Sequence, residues 1–166
     1  MAVFWNTLDD HLVTLFTTEM GVGSAYSTMK VQTVNSYVFA DAHIYSTWTL
    51  PAIVTAGWRI TYNANEHMGS NGRIYRKKFQ CFAYGIISGV MTTTTDTITD
   101  NLKEFYERME TAIAGDQFAL GISERGRGGL IIDGEIDVVR YPSDDLDSTR
   151  RMGVARIVFE VESTKL

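Results

Sequence analysis

Residues 154–163 read Val-Ala-Arg-Ile-Val-Phe-Glu-Val-Glu-Ser, and they give the strongest indication of the architecture. Ala155, Ile157, Phe159 and Val161 fall at every second position, and the residues between them are charged except for Val158. Because successive side chains of a strand point to opposite faces, this alternation predicts a strand with one buried and one solvated face. Such strands are typical of antiparallel sheets that are covered on one side only.

Two amphipathic helices are predicted, over Thr7–Met20 and Asp100–Ala114, because apolar residues recur there at helical spacing. Asn6 or Thr7 is expected to cap the first helix, and Asp9 and Asp10 lie near its N-terminus, where the helix dipole favours negative charge. Thr99 or Asp100 is expected to cap the second helix. The apolar stripes consist of Leu8, Leu12, Leu15 and Phe16 in the first helix and Leu102, Phe105, Tyr106, Met109 and Ile113 in the second.

Strands are predicted where β-branched and aromatic residues are dense, and the turn-rich segment Asn63–Gly72 predicts a hairpin loop between two of them. The predicted strands are Lys30–Phe39, Ala52–Tyr62, Arg73–Ser88, Phe118–Ser123, Leu130–Tyr141 and Gly153–Ser163. The layout of Tyr26–Thr49 stays open. The order of elements predicts an α+β fold: a mostly antiparallel sheet with two main helices packed on one face, and hairpin and loop extensions. We expect one domain over residues 1–166.

Composition excludes several classes of protein. With 166 residues, 45% hydrophobic, and a formal net charge of −5, the chain is typical of a globular domain and not of a polyanion-binding one. Its single cysteine, Cys81, allows no internal disulfide and favours a reducing compartment. Neither a signal peptide nor a membrane-spanning helix is predicted.

Asp133, Glu135 and Asp137 alternate on one predicted strand and therefore project to the same side. Three carboxylates together could hold Mg²⁺ or Ca²⁺, but a nuclease-type site would also want a lysine on the same strand, and Arg140 is the nearest cation after them. A solvated outer face explains the three acids more simply. No residue is assigned a catalytic, cofactor-binding or metal-binding role.

Two basic segments offer other chemistry. Residues 123–129, which carry Arg125 and Arg127 among glycines, can serve as a hairpin loop or as a contact for a partner or for passing nucleic acid. The segment Arg73–Lys78, where aromatic and basic residues interleave, can bind single-stranded nucleic acid or protect an edge strand from unwanted pairing. The negative net charge favours the edge-strand explanation.

As a pattern covering nearly the whole chain, the sequence resembles the tail terminator (tail completion) proteins of long-tailed bacteriophages. The matching features are an N-terminal helix, Leu50-Pro51-Ala52-Ile53-Val54 opening a strand, the loop Asn63–Gly72, a strand through Phe79–Ser88, the helix Asn101–Ala114, and the closing strand Val154–Val161. The stretch Asp133–Arg151 also looks like the late strand and acidic loop of such proteins.

The resemblance implies a structural virion protein, not an enzyme and without cofactors, that forms a homohexameric ring. The ring would cap the tail tube, stop its polymerisation and join the tail to the head. Its partners would be other copies of itself, the major tail tube protein and the head–tail connector or stopper protein. DNA would pass through the lumen without specific binding, and no membrane would be involved. The protein would be made in the host bacterial cytoplasm and reside in the virion tail or neck.

Loop position, and not a family motif, suggests which residues contact partners. The candidates are Arg125 and Arg127 in the Gly-rich loop, Asp144, Asp145 and Asp147 in the acidic loop, and Glu66, His67 and Asn71 in the hairpin. Three alternatives stay open: another neck or tube component, such as a head–tail stopper or tube subunit; a metal-dependent nucleic-acid enzyme using Asp133, Glu135 and Asp137; and a small-molecule binding module with a pocket between the helix Asp100–Ala114 and the sheet.

Overall fold

The computed structural model describes residues 4–21, 29–34, 40, 44, 49–63, 76–115, 129–140 and 149–163. The elements in chain order are α1 (Phe4–Gly21), β1 (Lys30–Gln32), β2 (Ala52–Asn63), β3 (Arg76–Val90), α2 (Thr99–Gly115), β4 (Leu130–Arg140) and β5 (Arg150–Ser163). The strands form one five-stranded sheet in the order β1-β2-β3-β5-β4. The β1–β2 pair is parallel and the other three pairs are antiparallel. The predicted α+β fold with a mostly antiparallel sheet is therefore confirmed.

Both helices pack on the same face of the sheet, which we call the helix face. The four alternating apolar residues of β5 lie in the hydrophobic core on this face, together with the apolar stripes of α1 and α2. The largest of the fully buried side chains in this core include Phe16, Phe79, Phe105 and Phe159. The alternation in β5 thus predicted its buried face correctly.

Glycines on β3 and β4 allow the aromatic side chains of helix α2 to lie close to the strands below it. A Cβ atom built on Gly85 of β3 would lie 2.5 Å from Cε1 of Phe105, closer than real Cβ contacts come. A Cβ atom on Gly134 of β4 would collide with the hydroxyl of Tyr106. Because glycine has no side chain, the aromatic rings of α2 can pack directly against the backbone of the sheet at these two positions.

The opposite face, which we call the far face, is also partly buried, and this corrects the expectation of a sheet covered on one side only. Its core contains Phe82, Tyr84 and Ile86 of β3, and Ala40 and Ile44 from the segment between β1 and β2 pack into it. Its remaining buried members are Ala52, Val54, Ala56, Met152 and Val154. Large apolar side chains on both faces of β3 require cover on both faces, since exposing them to water costs free energy.

The helix caps differ from those predicted. Helix α1 begins at Phe4, so Asn6 and Thr7 lie within it and do not precede it. Helix α2 begins at Thr99, and the carboxylate of Asp96 accepts hydrogen bonds from the backbone N–H groups of Ile98 (3.0 Å) and Thr99 (2.9 Å). Hydrogen bonds from the side chain and the backbone of Thr99, with a smaller contribution from Ile98, hold the pKa of Asp96 below its ordinary value.

The edge-strand explanation for the basic segment Arg73–Lys78 is wrong. Its described residues belong to β3, the middle strand: Lys77 is paired with Tyr62 of β2 and with Ser163 of β5. The sequence pattern could not show this, because a strand's neighbours are set by the topology of the whole sheet. Of the other predicted strands, Phe118–Ser123 and residues 35–39 lie outside the described part of the chain.

Candidate assembly surface

Strand β4 is one of the two outer strands of the sheet as described, and it pairs with β5 alone. No described strand pairs with the backbone groups on its other side. A register shift between Ile131 and Asp133 marks a β-bulge, which leaves Ile132 as an extra residue. The bulge accommodates three apolar residues in succession, Leu130 to Ile132, where strict alternation would have placed a polar one.

This edge exposes large aliphatic side chains to solvent. Leu130 is 65% exposed, Ile132 48% and Ile136 43%. Edge strands normally carry charges, proline or bulges that discourage pairing with other chains, and a long edge strand with exposed aliphatic residues is a site where another strand can add. None of these three residues was predicted from the sequence to have a role. The consecutive apolar run at the start of β4 was the signal that could have revealed them.

The acidic residues Asp133, Glu135 and Asp137 lie on the far face of β4, as their spacing predicted, and all three are exposed. They do not converge on one point: the carboxylates of Asp133 and Asp137 each accept a hydrogen bond from the next backbone N–H group, at 2.9 and 2.8 Å. Within the described ranges, no group of three or more His, Cys, Asp or Glu side chains could hold a metal ion.

Glu135 belongs to a row of side chains that crosses three strands. Its carboxylate lies 3.3 Å from the guanidinium of Arg156 on β5, and that guanidinium lies 5.1 Å from the ring centre of Tyr84 on β3. The three residues are directly opposite one another in the sheet. The row ends at the outer edge with a carboxylate, so the far side of β4 has negative electrostatic character.

Helix α2 contacts β4 on the helix face through Tyr106, which packs against Gly134. Burial raises the pKa of Tyr106, and the neighbouring charges of Glu110 and Asp133 raise it further. The phenol is thus neutral over the ordinary pH range, and its packing fixes the position of the edge strand.

The opposite outer strand of the described sheet, β1, has a different character. Lys30 and Gln32 are exposed, and they pair with Ala52 and Val54, both of which belong to the far-face core. Val31 faces the other way and packs against the helix-face core. The two edges therefore carry opposite charge on the same face of the sheet: a lysine at β1, and three carboxylates at β4.

Asp9 connects helix α1 to the middle of the sheet through a hydrogen bond. From the sequence, this residue was expected only to interact favourably with the helix dipole. The β-bulge between Gly57 and Arg59 leaves the Gly57 N–H group available, and it donates a 2.8 Å hydrogen bond to Oδ1 of Asp9. Burial raises the pKa of Asp9, the bond from Gly57 opposes that effect, and the charge of Asp10 adds a smaller increase.

Cys81, opposite Gly57 in the register, is buried, and burial holds the pKa of its thiol well above the ordinary value.

All eight partner-contact residues predicted from loop position lie outside the described residues: Glu66, His67, Asn71, Arg125, Arg127, Asp144, Asp145 and Asp147. The described residues that flank those loops do have definite places. Asn63 and Arg76, on either side of the hairpin loop, are paired at one end of the sheet. Arg140, which precedes the acidic loop, is paired at the opposite end. The two loops are thus attached to opposite ends of the sheet.

A groove of about 330 Å³ lies between α1 and α2. It is lined by Glu19 of α1 and by Glu104, Glu107, Arg108, Thr111 and Ala112 of α2. Arg108 Nε donates a 3.0 Å hydrogen bond to Glu104.

No protein-family model matches this chain, and no curated protein shows significant similarity to it. Among the described helices, none combines the length and the apolar character that crossing a membrane requires.

Proposed function

We propose that this protein is a structural component of the tail of long-tailed bacteriophages: a tail terminator whose copies form a ring, hexameric by family resemblance, at the end of the tail tube. In this role it stops polymerisation of the tube protein and presents a surface to the head–tail connector. It acts through its surfaces, without a reaction or a cofactor, within the virion neck, while DNA passes through the lumen without specific binding.

The observation that carries the proposal is the β4 edge. Leu130, Ile132 and Ile136 expose aliphatic surface on a strand whose outer side pairs with no described strand. A protein that works as a single copy gains nothing from such an edge and risks aggregation, whereas an assembling protein gains a contact surface.

Two further features support the same function. The described elements occur in the order on which the resemblance to tail terminators rests: an N-terminal helix, the strands on either side of the hairpin loop, the second helix and the closing strand. The hairpin and acidic loops are attached at opposite ends of the sheet. A ring between a tube and a connector needs two different end surfaces, and head-to-tail contacts that close on rotation provide both ends with uniform orientation.

The proposal is tested by measuring the particle mass of the purified protein in solution and by electron microscopy of the same sample. We expect discrete rings of uniform mass. Open-ended tubes would instead identify a tube subunit, and a particle that remains a single chain at high concentration would contradict any ring-forming role. Addition of the rings to polymerising tube protein should shorten the tubes, since each ring removes a growing end.

The Gly-rich loop is tested in the same capping assay. Reversing both charges, Arg125→Glu with Arg127→Glu, should abolish capping while leaving the ring mass unchanged, because the arginines are assigned to the partner and not to the neighbouring copy. Lys103→Glu on the exposed side of α2 serves as the charge-reversal control. Normal capping by the double variant would remove these two arginines from the contact surface.

A further inference from the structure

The two edges of the sheet differ in a way that specifies how copies of the chain join. We infer that β4 of one copy pairs in antiparallel fashion with β1 of the next copy, so that neighbouring sheets continue into one another around the ring. This inference rests on the proposed function, because it names the surfaces by which the ring closes.

Strand direction permits this pairing. Strand β1 is parallel to β2, and three successive antiparallel pairings lead from β2 through β3 and β5 to β4. Strands β1 and β4 therefore run in opposite directions. Rotation about a ring axis preserves a strand's direction along that axis, so β4 meets the neighbouring copy's β1 as an antiparallel pair.

Charge disfavours the simplest alternative, a two-fold pairing of β4 with β4. With Glu135 at the centre of such a pair, Asp133 would face Asp137 of the other copy and Glu135 would face its own equivalent. Shifting the centre to Gly134 or Ile136 still places carboxylates opposite one another. Like charges directly opposite in a sheet are destabilising, so the acidic row acts against self-pairing of this edge.

Pairing of β4 with β1 of the next copy avoids this repulsion between carboxylates. The register that places Val31 opposite Ile136 on the helix face places Lys30 opposite Asp137 and Gln32 opposite Glu135 on the far face. The half-exposed Ile136 gains an apolar neighbour, and a lysine meets a carboxylate. Since β1 supplies only three residues, Leu130 and Ile132 remain to add apolar contact beyond the paired segment.

The test is a charge exchange between the two edges, read by particle mass over a range of protein concentrations. Lys30→Glu and Asp137→Lys should each raise the concentration needed for assembly by on the order of tenfold or more, because each places like charges together. The double variant K30E/D137K should assemble like the wild type. Asp100→Lys, on a residue of α2 that is almost fully exposed, is the control and should leave assembly unchanged.

Mixing the two single variants gives a second readout. Alternating copies of Lys30→Glu and Asp137→Lys place opposite charges at every junction, so the mixture should recover rings that neither variant forms alone. Circular dichroism of each variant checks that the fold is retained.

The outcomes separate this inference from the proposed function. Wild-type rings that both single variants also form normally would overturn the β4–β1 pairing while the ring survives. Assembly strengthened by Asp137→Lys and indifferent to Lys30→Glu would show β4–β4 pairing instead. Open-ended tubes that obey the charge exchange would preserve the pairing and overturn the terminator function. Wild-type chains that never associate would overturn both.

Discussion

The middle strand β3 and the edge strand β4 lie in one sheet but differ in almost every side chain's environment. From Cys81 to Ile87 every residue of β3 is buried, whichever face it points to. From Ile132 to Asp137 every residue of β4 is exposed. In this sheet, the position of a strand determines how far it is buried. The middle strand β3 contributes to both cores, whereas the edge strand β4 can pair with a neighbouring copy.

The largest effect should come from the far-face core of β3. Phe82→Ala removes a fully buried ring and should lower the free energy of unfolding by about 3–5 kcal/mol, the usual cost of such a cavity. Chemical denaturation measures it, with Phe159→Ala on the helix face as the matched comparison. A cost near zero for Phe82→Ala beside a full cost for Phe159→Ala would mean that the far face is not a core.

A smaller effect is expected where α2 rests on β3. Gly85→Ala places a methyl group against the ring of Phe105 and should lower the free energy of unfolding by about 1–3 kcal/mol, as overpacking usually does. Gly115→Ala is the matched control, because a Cβ atom there has no neighbour within 4 Å. Equal stability of the two variants would contradict the close packing of α2 on the sheet.

The bond between α1 and the middle of the sheet should appear as a dependence on pH. The folded-state pKa of Asp9 is raised, so the folded state binds a proton more readily than the unfolded one between the ordinary value of 3.8 and the raised value. Stability from this group is therefore present below 3.8 and is lost as pH rises through the raised pKa.

Asp9→Asn keeps an oxygen that can accept the Gly57 bond but cannot ionise. Its free energy of unfolding relative to the wild type should thus increase as pH rises from below 3.8 and level off above the raised pKa. Denaturation of both proteins over that range measures the difference. Glu19→Gln, on an exposed residue of the same helix, is the control, and a difference that fell with rising pH would contradict the assigned shift.

The smallest effect is expected at the edge strand. Leu130→Ser and Ile132→Ser should each change the free energy of unfolding by no more than about 0.5 kcal/mol, because these side chains are largely exposed. Denaturation at a concentration where the protein is a single chain measures this. A loss as large as that of Phe82→Ala would mean that β4 is buried within the monomer, and the contrast with β3 would then disappear.

Much of this fold could be predicted from local periodicity. The second helix was predicted over Asp100–Ala114 and spans Thr99–Gly115, and the β5 alternation identified the buried face correctly. The cover over the far face was missed, although Phe82, Tyr84 and Ile86 alternate with the apolar residues that face the helices. An apolar run on both faces is typical of a doubly buried strand, and the sequence could have shown it.

The candidate surface was harder to predict. The acidic row of β4 was expected on one solvated side, and the structure places it there. The exposed aliphatic residues, the partner of Glu135 and the basic end of the middle strand were not predicted. Each depends on which strand lies beside which.

The sequence alone determined the class of fold and the faces of its elements, because hydrophobic spacing acts within a few residues of chain. Only the tertiary structure decided that β3 lies in the middle and β4 at the edge, that Arg156 links Tyr84 to Glu135, and that Asp9 accepts the bond of Gly57. These contacts join residues distant in sequence, and their strength depends on register and burial, which no local pattern specifies.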